Sequence, residues 1–120
     1  MLKFSANPSM LFPEVPLLER FQCASACGFT SAEMLFPYEH PIENLRWALA
    51  DSQMQLSLFD FPGGDWESGD RGIAIFPDRR LEFRESVERA LSYATALGTT
   101  RLNCLAGLMT EVTKSEAWST

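Results

Sequence analysis

The stretch that decides the fold is residues 31–60, SAEMLFPYEHPIENLRWALADSQMQLSLFD. Its opening, Ser31 to Phe36, and its close, Gln55 to Asp60, are short, largely apolar runs that read as strands. Between them Ile42, Leu45 and Leu49 recur at helical spacing behind Pro41, which suits a first helical turn because its missing N–H has no partner there anyway. Apolar run, helical stripe and apolar run in succession mark βα units around a parallel sheet.

The same alternation extends outward in both directions. Lys3 to Asn7 reads as a strand, followed by a helix from about Pro16 to Cys27 with Leu17, Leu18, Phe21 and Ala24 on one face. Gly28 closes that helix as the residue just past its end. Downstream, Pro62 to Asp78 is rich in Gly and Asp, fits neither period, and reads as a long excursion between strand and helix. The strongest helical stripe follows: Phe83, Val87, Ala90, Leu91, Ala94 and Leu97, with Asp78 expected as N-cap and Gly98 as the stop. Arg101 to Ala106 is expected to be the fourth strand. Thr113-Lys114-Ser115-Glu116 then fits the capping box S/T-x-x-E that opens a helix, with Ala117 to Thr120 after it. The alternative for this last motif is a chance match on a frayed tail.

Composition narrows the class. The 120 residues include 46% hydrophobic and 22% charged ones, a soluble globular balance, with no apolar run long enough to span a bilayer. The apolar stretch at the N-terminus is interrupted by Asn7, Pro8, Pro13 and Glu14 and lacks the continuous core of a secretory signal, so the cytoplasm is the expected compartment. A net charge of −6 offers no basic footprint, which argues against nucleic acid as a partner, as the hydropathy argues against a membrane. The odd count of three cysteines points to reduced thiols. Cys23 and Cys27 lie four apart, but no second Cys/His pair follows and His40 is the only histidine, so they read as small buried apolar residues rather than metal ligands.

Strand, helix, strand, helix, strand, helix, strand with a fourth helix beginning is half of a (β/α)₈ barrel, a fold of about 250 residues. A flavodoxin-like open sheet fits the same order. Phe4-Ser5-Ala6-Asn7, Glu33-Met34-Leu35-Phe36-Pro37-Tyr38, Pro62-Gly63-Gly64-Asp65-Trp66, Arg71-Gly72-Ile73-Ala74 and Leu102-Asn103-Cys104-Leu105-Ala106-Gly107 separate the two. Together they resemble the hydroxypyruvate isomerase family, in that family's order and spacing and over almost the whole chain. The resemblance implies an α/β fold that is a partial (β/α)₈ TIM barrel of the xylose isomerase-like kind, with about four parallel strands and three full helices. Residues 1–120 are then expected to be its N-terminal half, cut at the start of the fourth helix.

The activity implied is interconversion of hydroxypyruvate and 2-hydroxy-3-oxopropanoate, with 2-oxo-tetronate isomerases and sugar epimerases of the same barrel group as alternatives. Such a reaction needs a base to move a proton between neighbouring carbons and an electrophile to stabilise the enediolate. In the resembled family these roles fall to paired glutamates and a divalent metal, Mg²⁺ or Mn²⁺, held at the ends of strands five to eight. No catalytic residue and no metal ligand is therefore expected here, and the chain alone is expected to be inactive.

Substrate-binding candidates follow from the resemblance, because barrel sites sit at the C-terminal ends of strands: Asn7, Tyr38, Trp66, Arg71 and Asn103 all fall on that face. Arg71 would grip the carboxylate of a small hydroxy-keto acid, or else be a solvated loop arginine pairing with Asp70 or Glu67. Trp66 would close over the substrate or anchor its loop, and Tyr38 would donate to a substrate oxygen or to the scaffold. Asn7 and Asn103 require a ligand, water or backbone partner. Glu33, a carboxylate in an apolar strand, needs a partner or marks the site. Unpaired edges on strands one and four predict self-association, or pairing with another half-barrel.

Overall fold

In a computed structural model, residues 1–109 and 114–120 are described. Helix α1 (Leu17–Ala26), strand β1 (Ser31–Met34), helix α2 (Ile42–Asp51), strand β2 (Gln55–Asp60), helix α3 (Arg80–Leu97), strand β3 (Leu102–Asn103) and helix α4 (Lys114–Ser119) follow in order, with a 3-10 turn at Pro77–Arg79 ahead of α3. The strands form one parallel sheet in the order β1-β2-β3. This is the alternation expected of a partial α/β barrel.

Both helix exits behave as their glycines require. Gly28 and Gly98 take φ of 92° and 69°, a left-handed backbone that only a residue without Cβ adopts freely. Thr99, just beyond, is buried and its hydroxyl donates to the Leu56 carbonyl at 3.0 Å, fastening the end of α3 to β2.

The core lies between sheet and helices. Ala32 and Met34 of β1 and Leu56 and Phe59 of β2 meet Phe21 and Ala24 of α1, Leu45 and Leu49 of α2, and Ala90 and Ala94 of α3. Small residues on α3 let that helix lie close to the sheet. The predicted stripe on α3 needs one correction: Leu91 is 52% exposed, and Ser86 is buried in the line of Ala90 and Ala94, its hydroxyl satisfied by the Phe83 carbonyl at 2.7 Å.

The outer strands are shorter than the sequence suggests. The expected strand Lys3 to Asn7 contracts to a single parallel bridge, Ala6 to Ala32, made by Ala6 N–H to Ser31 and Glu33 N–H to Ala6. Residues 1–5 are exposed, so no side-chain burial adds to backbone pairing there. The predicted strand Ser31 to Phe36 ends at Met34. The predicted fourth strand, Arg101 to Ala106, pairs with β2 only through Leu102 and Asn103. Ala106 instead forms an antiparallel bridge with Gly72, because the long excursion folds back over this end of the sheet and captures it.

Two caps also differ from expectation. Pro77 starts a 3-10 turn, so Asp78 sits inside that turn and α3 begins without a side-chain cap. The Thr113 half of the capping box lies outside the described residues; Lys114 to Ser119 is helical. Among the described residues the cysteines are free, but Cys27 and Cys104 are exposed and Cys23 is half-buried, which corrects the expectation that Cys23 and Cys27 are core residues. No helix among the described residues is long and apolar enough to cross a membrane.

Candidate functional site

Strand alternation sends every second side chain to the face away from the helices. With Ala32, Met34, Leu56 and Phe59 on the helix side, Ser31, Glu33, Ser57, Leu58 and Asp60 point to the other face. The register slips by one residue between Ala32 and Glu33, so Ser57 is extra in β2 and its hydroxyl donates to the Ala32 carbonyl at 2.9 Å. Ser5 Oγ lies 3.0 Å from Ser57 Oγ, extending this polar strip to the first bridge.

At the C-terminal end of the sheet the candidate residues fall into two groups and an outlier. In the first group, Asp60 is buried and accepts from Asn103 Nδ2 at 2.9 Å across β2 and β3. Burial pushes the Asp60 carboxyl above its ordinary value, and the Asn103 hydrogen bond pulls partly the other way. Tyr38 joins this group from behind: its hydroxyl donates to the Asp60 carbonyl at 2.6 Å, while its ring meets Phe59 and Tyr93 edge-on. Burial raises the phenol well above its usual range despite Arg89, which sits 5.1 Å from the ring. The Tyr38 proton is committed to the scaffold in this structure.

The second group is the excursion after β2. Trp66 packs edge-on against Phe36 at 4.9 Å, over Gly63, which anchors the loop to the end of the sheet. The Arg71 guanidinium stacks on the Trp66 ring at 4.0 Å and donates to the backbone carbonyls of Trp66 and Asp70, not to the carboxylates of Asp70 or Glu67. Asp70 is instead held by Arg79 in a two-pronged pair at 3.0 and 2.8 Å, and Arg79 also grips Glu82 at 2.7 Å. Those bonds hold the Asp70 and Glu82 carboxyls below their usual values, with Arg79 the largest cause for each. Asp70 also accepts the Asp65 N–H at 2.7 Å, and Gly72 N–H donates to Gly63, so the loop is closed on itself.

Asn7 is the outlier. Its side-chain oxygen accepts the Ser9 N–H at 3.0 Å, and the Ser9 hydroxyl accepts the Leu35 N–H. Among the described residues no hydrogen bond joins it to the other two groups. Glu33 is half-buried on the inner face with no side-chain partner among the described residues. The sequence signals neither Arg79 nor Asp60, which organise the two groups: Arg79 lies nine residues from its partner Asp70 across an aperiodic Gly-rich stretch, and Asp60 reads simply as the end of a strand.

A groove of about 530 Å³ runs beneath the loop, bordered by Asp70, Arg71, Phe76, Arg79 and Leu108. A larger open concavity, about 1510 Å³, lies at the opposite end of the strands beside Thr30, Gln55 and Arg101. Of the five candidate residues only Arg71 borders the smaller groove, and none borders the larger concavity. Among the described residues no three His, Cys, Asp or Glu side chains gather in a way that could hold a metal ion.

Parallel strands with helices on one face and long loops at the strand C-termini are the architecture of part of a βα barrel. A family model described as xylose isomerase-like TIM barrel matches residues 21–120, and the chain belongs to that family. It is 50% identical over 107 residues to a protein named hydroxypyruvate isomerase from Escherichia coli K12, a match spanning 89% of this chain and 42% of that relative. To a 2-oxo-tetronate isomerase of Cupriavidus necator it is 43% identical over 109 residues, 91% of this chain and 42% of the relative. A crystal structure titled AP endonuclease, family 2, from Brucella melitensis superimposes with a TM-score of 0.96 at 38% identity, over 99% of this chain and 46% of that one. The chain thus spans under half the length of the relatives it matches.

Proposed function

We propose that this chain is the N-terminal, substrate-facing part of a hydroxypyruvate isomerase, an intramolecular oxidoreductase of the aldose–ketose type acting in the cytoplasm. The observation that carries the reading is the 50% identity to hydroxypyruvate isomerase over 107 residues, 89% of this chain. In the reaction a proton leaves C3 of hydroxypyruvate, the hydroxyl proton passes from O3 to O2 through an enediolate, and C2 is reprotonated to give 2-hydroxy-3-oxopropanoate. Arg71 would exchange its backbone carbonyl partners for the substrate carboxylate, a stronger, charge-assisted pairing. Trp66 would exclude water above it, and the Asn7 and Asn103 amides would donate to substrate oxygens. Tyr38 serves this site indirectly, by fixing Asp60.

The proton-moving groups and the divalent metal, Mg²⁺ or Mn²⁺, belong in this reading to the part of the barrel outside this chain. The 43% identity to a 2-oxo-tetronate isomerase keeps a longer hydroxy-keto acid open as substrate. An endonuclease role finds no support in a net charge of −6. The test is turnover: the purified chain with hydroxypyruvate and Mg²⁺ or Mn²⁺, followed by proton NMR, is expected to give no 2-hydroxy-3-oxopropanoate. Conversion by this chain alone would overturn the assignment of the proton-moving groups elsewhere.

A further inference from the structure

The two candidate asparagines are held in opposite senses. A backbone N–H can only donate, so Asn7 turns its Oδ1 to the Ser9 N–H at 3.0 Å and keeps its amide hydrogens for other partners. A carboxylate can only accept, so Asn103 turns its Nδ2 to Asp60 Oδ1 at 2.9 Å. One N–H and the carbonyl oxygen of the Asn103 amide remain for other partners.

That sense is fixed because Asp60 is itself fixed. Its N–H donates to the Leu35 carbonyl at 2.9 Å and its carbonyl accepts the Tyr38 hydroxyl at 2.6 Å. It stands opposite Asn103 in the β2–β3 register, where the Phe61 N–H donates to the Asn103 carbonyl at 2.8 Å. Leu102 packs against the core, which leaves Asn103 on the face that Asp60 shares. Turning the amide over would take the donor away from a buried carboxylate and set an oxygen against it. An asparagine without such a partner presents either end, and so discriminates poorly between a hydroxyl and a carbonyl oxygen.

Arg71 belongs to the same stretch of strand ends. The next residue, Gly72, bridges Ala106 and lies against the Leu105 carbonyl, two residues or about 7 Å of extended chain beyond Asn103.

We propose that Asp60 is a positioning residue: it sets the Asn103 amide so that Oδ1 accepts from the hydroxyl of a substrate whose carboxylate rests on Arg71. The pair then selects 2-oxo acids that carry a hydroxyl over those that lack one. This deepens the isomerase reading and rests on it. A site built around a substrate hydroxyl rejects the analogue without it, because the acceptor is then left unpaired.

The test uses a whole enzyme that carries these residues, with pyruvate, which lacks the hydroxyl, as competitive inhibitor. In the unmodified enzyme the pyruvate Ki should exceed the hydroxypyruvate KM at least about tenfold. Asp60→Ala frees the amide and should lower kcat/KM for hydroxypyruvate about tenfold, while the pyruvate Ki stays within about twofold, because pyruvate has no hydrogen to give. Asp60→Asn, which can hold the amide in either sense, should fall between. Because Asp60 acts through Asn103, adding Asp60→Ala to Asn103→Ala should change kcat/KM by less than about twofold. In the nitrogen-15 spectrum of the 120-residue chain, Asp60→Ala should shift the Asn103 side-chain amide and leave that of Asn7 in place. A kcat/KM unmoved by Asp60→Ala, a pyruvate Ki that rises in parallel, additive losses in the double variant, or an unmoved Asn103 amide would each overturn the proposal. Absence of hydroxypyruvate turnover in the unmodified enzyme would instead refute the proposed function and the ligand together.

Discussion

Replacing Arg79 by alanine should open the excursion between β2 and α3 while leaving the sheet intact. Arg79 makes two bonds to Asp70, at 3.0 and 2.8 Å, and two to Glu82, at 2.7 Å. Hydrogen bonds to charged groups contribute about 1.5–3 kcal/mol each when buried. Here the Arg79 and Asp70 side chains are 27% and 22% exposed, so solvent screening reduces the Asp70 arm to about 2 kcal/mol in all. The Glu82 arm, with that carboxylate 47% exposed, adds under about 1 kcal/mol. A loss of about 2 kcal/mol in local opening corresponds to roughly thirtyfold faster amide exchange. The reporters are Asp65 N–H, bonded to the Asp70 carboxylate, and Gly72 N–H, bonded to Gly63; Asp60 N–H, bonded to Leu35 within the sheet, is the control. Arg79→Lys, which cannot make the two-pronged pair, should fall between. Acid should act in the same direction. Asp70 is held below its ordinary 3.8 by Arg79, so its contribution is present above that value and is lost as pH falls through the depressed folded value. Loop protection should therefore be flat from pH 5 to 7 and decline below about pH 4. Unchanged exchange at Gly72 in Arg79→Ala, or an equal loss at Asp60, would refute this account of the loop.

Gly72 and Tyr38 offer two sharper tests. Gly72 has φ of 97° and lies so close to the Leu105 carbonyl that an added Cβ would collide with it, so Gly72→Ala should destabilise the loop contact by about 1–3 kcal/mol and lower the urea midpoint; an unchanged midpoint would sink the reading. Tyr38→Phe deletes the bond to the Asp60 carbonyl and should cost about 1 kcal/mol in urea melts; in a whole enzyme that carries these residues, the KM for the proposed hydroxypyruvate substrate should stay within twofold. A rise in KM without loss of stability would return Tyr38 to the substrate.

The sequence was most legible where one face of an element is buried continuously. Strand β2 runs from Gln55 to Asp60 as its apolar run indicates, and α1 and α2 bury Phe21, Ala24, Leu45 and Leu49 as their spacing requires. Hydropathy was less informative on α3, where close approach to the sheet selects Ser86 and leaves Leu91 outside: size decides what fits, and a serine bonded to its own helix backbone is small enough. Lys3 to Asn7 and Arg101 to Ala106 carry strand-like composition, but pairing depends on what lies beside them, and the loop at Gly72 competes successfully for Ala106. At the site, location followed from strand order, whereas partners did not. Asn103 was flagged as needing one, but that it is Asp60 emerges only once β2 and β3 are in register.

The candidate residues divide by what holds them, and that division governs how a substitution travels. Asp60 is tied twice: its carbonyl accepts from Tyr38, which leans on Phe59 and Tyr93 in the helix-side layer, and its carboxylate accepts from Asn103 on the next strand. The Asn103 amide is therefore positioned by the rigid part of the molecule, and changing it alters a buried carboxylate as well as any ligand contact. Arg71 has no such attachment. Its guanidinium rests on Trp66 and on backbone carbonyls within its own loop, which Arg79 fastens to α3. A group that binds an anion by leaving neutral acceptors gains a charge-assisted bond without stranding a buried charge, so Arg71 is free to change partners where Asn103 is not.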